Sequence, residues 1–322
     1  MYAIAVNDGH LQWCEHDALP SPGGSEILID VAWAGMNRAD VMQRDGGYPP
    51  PKGASAILGL EVSGVVAAVG PAAERFRVGD PVCALLAGGG YAEQVLVNEA
   101  QALRIPEGMT LRNAAALPEV FATAWLNLYM EADLREGERV LLHAGASGVG
   151  TAAIQLCSAL GNPCFVTVGS QAKIDACRKL GAEGGWNRHE GSFVEAVKAW
   201  GEVDVILDPV GGDYPGWNQK VLKQDGRIVL IAFMGGREAQ LDLGTMLMKR
   251  QRLIGSTLRS RSPSSKGSVM DALHAHVWPL LESDRIRPLV NRTFPIQQAD
   301  DAMRYLEENS STGKVLLSVS GA

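Results

Sequence analysis

Residues 139–160 constrain this chain more than any other stretch. Arg139-Val140-Leu141-Leu142-His143 reads as an apolar strand, and Ala144-Gly145-Ala146-Ser147-Gly148-Val149-Gly150 as a turn of small residues. An apolar helix follows from Thr151. That order suits a dinucleotide pyrophosphate. Small residues let the backbone come close to the ligand, and the start of the helix offers free amides and a partial positive charge to an anion. The spacing is Gly145-x-x-Gly148-x-Gly150 rather than the common GxGxxG, with a small-residue version in Ala144, Ser147 and Gly150. An ordinary strand-to-helix turn uses the same residue types. The flanking strand, the flanking helix and a second strand downstream favour the nucleotide.

The surrounding pattern fits that choice. Strands are expected at 139–143, 164–168, 203–208, 227–232 and 252–257, with helices between them, including 172–180 capped by Gly181. Such alternation implies a doubly wound parallel sheet covered on both faces, an α/β domain over residues 120–256. Residues 1–119 read differently. Strands at 26–34, 61–69, 80–86 and 91–97, punctuated by Gly and Pro, suggest a compact barrel-like domain. Thr110 is expected to cap a helix over 111–117, Pro118 to interrupt it, and a second helix to cover 120–130. A polar connector is expected at 259–268. A helix at 269–281, a strand at 289–294, a helix at 297–308 and a strand at 314–319 then return the segment 257–322 to the first domain.

Composition narrows the class. The chain has 322 residues, 46% hydrophobic and 20% charged, enough for two globular domains. No run reaches the ~18 apolar residues of a membrane helix, and the start lacks a basic region followed by an apolar core, so a cytoplasmic protein is expected with no membrane partner. A net charge of -7 argues against a nucleic-acid partner bound by broad phosphate neutralisation. The five cysteines, Cys14, Cys83, Cys157, Cys164 and Cys177, are scattered without a CxxC pair, which predicts neither a disulfide framework nor a structural zinc site.

The second strand of an NAD-binding sheet usually ends in an acid that holds the adenosine ribose hydroxyls. Here Phe165-Val166-Thr167-Val168 runs into Gly169-Ser170-Gln171-Ala172-Lys173. A 2′-phosphate would be welcomed by the Ser170 hydroxyl and the Lys173 ammonium, with charge added by Arg188. A charge-assisted hydrogen bond contributes about 1.5–3 kcal/mol, so Lys173 alone supports about a tenfold preference. The predicted cofactor is NADPH.

Five segments carry a family resemblance: Met36-Asn37-Arg38-Ala39-Asp40, Ile57-Leu58-Gly59-Leu60-Glu61-Val62-Ser63-Gly64, His143 through Gly150, Thr167-Val168-Gly169-Ser170-Gln171, and Gly313-Lys314-Val315. Over essentially its full length the chain resembles the medium-chain dehydrogenase/reductases. Within them it is similar to the zinc-free quinone oxidoreductases related to zeta-crystallin, nearest the branch typified by the tumour-suppressor-inducible quinone oxidoreductase. The resemblance implies a GroES-like catalytic domain (1–119, completed by 257–322), a Rossmann domain and a homodimer paired through the edge strand after 227–233. It places the nicotinamide in the cleft between domains.

Zinc-dependent members carry Cys where this chain has Asn37 and His where it has Leu60, so no metal is expected. Alcohol oxidation needs a Lewis acid to lower the hydroxyl pKa. A quinone or other conjugated carbonyl spreads the incoming charge over its own π-system and needs only hydrogen-bond donors. The resemblance assigns Asn37, Tyr48 and Asp40 to the catalytic cleft, with Asn37 and Tyr48 as donors and Asp40 ordering the loop. Glu61 is read as structural, and His143 as a packing residue. Ala146, Ser147, Gly148, Val149 and Gly150 would hold the pyrophosphate, and Gly169, Ser170, Lys173 and Arg188 the adenosine end. Thr123 and the loop Phe233-Met234-Gly235 would lie on the nicotinamide side, the segment Leu258-Arg259-Ser260 by the cofactor, and Lys314 as a cofactor-binding residue near the cleft. Many relatives have Tyr where this chain has Arg188, which either stacks on adenine or reaches the phosphate. The expected activity is NADPH-dependent quinone reduction. Reduction of the double bond of enals or enones is the close alternative, and a non-catalytic NADPH sensor or RNA-binding protein the distant one.

Overall fold

The computed structural model describes residues 1–320. The chain forms two compact units, Thr123–Thr257 and a second made of Met1–Ala122 with the chain from Leu258 onward.

The unit Thr123–Thr257 is built on a six-stranded sheet in the spatial order Gly184–Asn187, Cys164–Val168, Val140–His143, Val203–Asp208, Leu222–Leu230, Arg252–Gly255. Every pairing is parallel. The two central strands are largely apolar because a parallel sheet covered by helices hides both faces, with His143 and Asp208 at their C-terminal ends. Val140, Leu141, Leu142, Val205 and Ile206 are all fully buried. In sequence order the strands run 3-2-1-4-5-6. Connections therefore leave in opposite directions from Val140–His143 and Val203–Asp208, and a crevice opens beyond their C-terminal ends.

The other unit holds a seven-stranded, mainly antiparallel sheet and a two-stranded hairpin. Strand Glu26–Gly35 is its hub. It pairs along one edge with Glu61–Val69, and along the other with Gln94–Asn98 and then with Lys314–Ser318. The last pairing joins the C-terminal segment to this unit. Its core packs Ile27, Ile29, Val62, Val82 and Tyr91 against Ile296, Met303 and Val315.

Several local expectations are corrected. The connector expected at 259–268 is helical from Pro263, because Ser262 caps the helix Pro263–His276 by accepting from the Ser265 amide (3.2 Å) and proline is at ease in a first turn. The single helix expected at 269–281 is two, Pro263–His276 and Trp278–Glu282, with Pro279 starting the second. Pro118 opens rather than interrupts a helix, Pro118–Trp125, which continues as a π-helical turn over Leu126–Glu131. Further elements lay outside the sequence reading, among them the edge strand Gly184–Asn187 of the parallel sheet. Tyr2–Asn7 and His10–Glu15 form a hairpin whose turn residues, Asp8 (φ 49°) and Gly9 (φ 80°), match the twist of paired strands. Helix Arg38–Arg44 begins directly after Asn37. Among the described residues no helix is long and apolar enough to cross a membrane.

Candidate functional site

In the nucleotide-type unit, strand Val140–His143 delivers the chain to Ala144, which takes a left-handed conformation (φ 54°) and turns it into helix Gly148–Ala159. Ser147 caps this helix, its hydroxyl accepting from the Gly150 amide at 3.0 Å. The Gly148 and Val149 amides in the first turn lack intrahelical acceptors, as helix geometry requires. Gly150 must be glycine: a Cβ there would come within 2.5 Å of the Ala144 and Gly145 carbonyl oxygens. The turn packs tightly on its own backbone while Ser147 stays exposed, so the amide-rich end of the helix faces outward.

Next along the sheet, Ser170 caps helix Gln171–Lys179, accepting from the Lys173 amide at 3.3 Å. The Arg188 guanidinium lies over Gly169, where a Cβ would sit 3.3 Å from its Cζ. Burial, and then the Arg188 charge, push the Lys173 ammonium below its ordinary pKa. Lys173 and Arg188 thus bring positive charge to a strand end whose sequence, Val168-Gly169-Ser170, holds no acid. The donor set fits a nicotinamide dinucleotide.

His143 sits behind the turn as a member of a buried polar chain. Its Nδ1 faces Thr167 Oγ1 (2.9 Å) and its Nε2 faces Asn218 Oδ1 (2.8 Å), while Asn218 Nδ2 donates to Asp208 Oδ2 (2.9 Å). Because Asn218 spends its amide on Asp208, it presents oxygen to the ring, so Nε2 carries the proton. Burial lowers the imidazole pKa and keeps it neutral. Thr123 is buried in the same unit. Phe233 and Met234 are exposed, and the Gly235 amide is anchored on the Val210 carbonyl at 2.7 Å.

The second unit gathers the remaining candidates around a buried ion pair. Lys314 and Glu61 meet at 2.5 Å with side-chain exposures of 4% and 0%. Lys314 also donates to the Met36 carbonyl (2.5 Å) and to Asn37 Oδ1 (2.8 Å), which uses all three ammonium protons. Asn37 Nδ2 donates to Glu61 Oε1 (3.0 Å) and the Gly35 carbonyl (3.3 Å). The other Glu61 oxygen accepts from the Glu119 amide (2.9 Å). Gly35 leaves the room Glu61 needs, since a Cβ there would overlap the carboxylate.

Asp40 is fully buried and accepts from the Asn37 amide (2.8 Å), the Gly59 amide (3.1 Å) and the Tyr91 hydroxyl (2.8 Å). Burial still holds its pKa above the ordinary aspartate value. Arg259 is buried, not exposed in a polar loop. It donates to the Ala87 carbonyl (2.8 Å), the Tyr48 carbonyl (3.2 Å) and Gln43 Oε1 (2.5 Å), and lies 5.1 Å over the Tyr48 ring. The Tyr48 hydroxyl has no partner among the described residues. Leu258 is buried and Ser260 exposed beside Arg259.

This geometry changes the meaning of two sequence assignments. Both Asn37 amide protons are taken, so the side chain has no free donor for a substrate oxygen. Lys314 has none to spare for a coenzyme. Two residues that the sequence reading passed over stand out instead. Glu119 keeps some exposure as a residue, but its carboxyl end is enclosed by protein and has no hydrogen bond or ion pair among the described residues. Lys266 is only 3% exposed, and its ammonium likewise has none. Neither carries a signal in the sequence: Lys266 lies in the polar stretch 259–268 expected to be a connector, and Glu119 falls between the two expected helices.

A catalytic zinc is the metal such a fold would bring, and the donors present do not suit it. Leu60 is a buried hydrocarbon, Asn37 and Glu61 are bonded to an ammonium, and the Cys83 thiol is held protonated by burial and by Glu61. Among the described residues no three His, Cys, Asp or Glu side chains gather as ligands.

Comparison with known proteins agrees with this architecture. Residues 148–275 match the zinc-binding dehydrogenase family, and residues 23–107 the alcohol dehydrogenase GroES-like domain. The chain is 32% identical over 302 residues to quinone oxidoreductase-like protein 2 of Bos taurus, covering 91% of this chain and 85% of that protein. It is 29% identical over 314 residues to the synaptic vesicle membrane protein VAT-1 homolog of Rattus norvegicus, covering 92% and 78%. Among solved structures, mycobacterial Rv1454c complexed with NADPH superimposes with a TM-score of 0.88 at 27% identity, covering 99% of this chain and 100% of that one.

Proposed function

Since the chain belongs to the medium-chain dehydrogenase/reductase superfamily, we propose that it is a zinc-independent, NADPH-dependent reductase of quinones, in the branch related to zeta-crystallin. The observation that carries this reading is the strand end Val168-Gly169-Ser170, which has no carboxylate in its sequence and over which the Arg188 guanidinium lies. A 2′-phosphate would find the Ser170 hydroxyl and the charges of Arg188 and Lys173 there, whereas a carboxylate at that position would repel it. When bound, the coenzyme would supply hydride.

The chain's own residues do the rest. The turn Ala146-Ser147-Gly148-Val149-Gly150 would hold the pyrophosphate through backbone amides and the helix dipole. Gly169, Ser170, Lys173 and Arg188 would hold the 2′-phosphate, which assigns Arg188 to charge rather than to adenine stacking. Thr123 and Phe233-Met234-Gly235 remain the candidates for the nicotinamide half. Tyr48 keeps a free hydroxyl for the acceptor oxygen, and Arg259 fixes its ring. Asn37, Asp40 and Lys314 are positioning residues in this reading. They bind each other and the loop that carries Tyr48. The ammonium of Lys314, not a metal, supplies the positive charge at Glu61. Without a Lewis acid the acceptor must delocalise charge itself, which selects quinones and other conjugated carbonyls.

A homodimer is part of the proposal, formed at the outer strand Arg252–Gly255. Reduction of carbon–carbon double bonds in enals and enones is the second reading, favoured by the unpartnered Glu119 carboxyl, whose pKa burial raises above the ordinary carboxylate value.

Calorimetry with NADPH and NADH, followed by turnover on a panel of quinones and enones with and without a chelator, tests the assignment. Tighter NADPH binding and chelator-resistant turnover are expected. Absence of NADPH binding, or activity lost to a chelator and restored by zinc, would overturn it. Tight binding without turnover on any acceptor would point to a sensor.

A further inference from the structure

Glu119 and Lys266 are two ionisable side chains of one unit that the ion-pair network leaves unused. Glu119 stands second in helix Pro118–Trp125, its backbone fixed by the amide bond to Glu61 at 2.9 Å. Lys266 projects from helix Pro263–His276 and is buried. Each feels the charge of the other, yet they lie too far apart for an ion pair. The charges of Tyr48 and Arg259 both respond to Glu119. A buried ammonium with no partner is costly, so its retention points to an anion that forms during work.

We propose that Glu119 is the catalytic proton donor of this site, delivering its proton to the α-carbon of a conjugated carbonyl after hydride addition, with Lys266 stabilising the carboxylate left behind. This rests on the reading that the chain is a hydride-transfer reductase, and it names carbon–carbon double bonds as substrates beside quinones. The bound coenzyme would supply hydride to the β-carbon and be oxidised, and the substrate's π pair would then rest as an enolate. The Glu119 O–H bond then breaks as the α-carbon–hydrogen bond forms. Water returns the proton to Glu119. Tyr48 offers its hydroxyl to the enolate oxygen. A hydroquinone oxygen takes its proton readily from water, whereas an enolate carbon protonates slowly and benefits from a placed acid.

The electrostatics agree. Burial, and after it the Glu61 charge from the adjoining strand, push the Glu119 carboxyl from 4.5 up to about 8. Asp40 from helix Arg38–Arg44 pushes the same way, and Lys314 and Lys266 oppose. The carboxyl is therefore protonated at neutral pH. Burial lowers the pKa of Lys266, and Glu119 counters that shift.

The experiment reduces an α-substituted enone with NADPH in heavy water and reads the α-deuterium stereochemistry, beside the pH profile and a carboxyl infrared or carbon-13 titration of the enzyme without coenzyme. Wild type should give one α-epimer, a basic limb near pH 8 and a carboxyl titrating there. Glu119→Gln should lower enone kcat/KM about 100-fold, erase the limb and scramble the α-centre, while NADPH affinity stays unchanged. Lys266→Met should move the limb and the carboxyl titration to higher pH. Full stereocontrol and rate in Glu119→Gln, or a carboxyl titrating near 4.5, would overturn the proposal while leaving quinone reduction intact. Loss of NADPH binding in wild type would instead overturn the reading beneath it.

Discussion

Lys314 and Glu61, 253 positions apart in sequence, form a 2.5 Å ion pair that is enclosed on all sides. The pair joins the C-terminal strand to the strand following Leu60, and Asn37 bridges both partners. Removing one member leaves a buried charge unpaired, a loss of about 3–5 kcal/mol. Lys314→Met should therefore lower the denaturation midpoint sharply, and adding Glu61→Gln should recover much of it. Urea titrations of the two single variants and the double variant form the cycle that measures this. Additive losses would deny the pairing its role.

Coenzyme choice gives a second test. Lys173→Ala should weaken NADPH about tenfold with little change for NADH, the size expected for one charge-assisted hydrogen bond. Ser170→Asp places a carboxylate at the strand end and should invert the preference. Parallel titrations of each variant with both coenzymes decide the matter. Equal weakening for both would move the 2′-phosphate elsewhere.

The nucleotide unit was far more legible in the sequence than the acceptor side, for a physical reason. A parallel strand buried on both faces must be an apolar run, and a turn against a helix start must be small, so both leave contiguous marks. The network of Asn37, Glu61, Lys314 and Asp40 joins residues hundreds of positions apart. Sequence could identify these positions only by resemblance, and resemblance did not show that Asn37 has no free amide proton. Arg259 and Lys266 lie in a stretch dominated by Ser, Arg and Lys that reads as a polar connector, although the resemblance also brings Arg259 to the cofactor. Ser262-Pro263 was the overlooked sign that a helix begins there. Glu119 had no readable mark, since acids are common at helix starts and its lack of a partner is a property of the fold.

The raised pKa of Glu119 carries a stability consequence independent of catalysis. A carboxyl whose folded pKa lies above its unfolded value contributes stability that is fully present below pH 4.5 and lost as pH rises through about 8. Wild-type stability should thus decline across that window, and Glu119→Gln should flatten the decline. Denaturant midpoints at pH 5, 6.5 and 8 for both proteins measure it. Parallel curves would place the carboxyl in an ordinary environment.

The outer strand Arg252–Gly255 ends the six-stranded sheet with one edge unpaired among the described residues. An exposed edge is a template for another strand and is usually guarded by charge or proline. Here Leu253 is 40% exposed, and the preceding helix Leu243–Met248 exposes Leu243, Leu247 and Met248 at 71–77%. Apolar exposure of this kind beside an open edge is costly in a monomer and suited to a second copy, whose own edge strand would continue the sheet about a two-fold axis. Light scattering should show a dimer for wild type. Leu247→Glu with Leu253→Lys should give a monomer of unchanged circular dichroism, because neither side chain supports the core. A wild-type monomer at tens of micromolar would mean that some other partner covers this face.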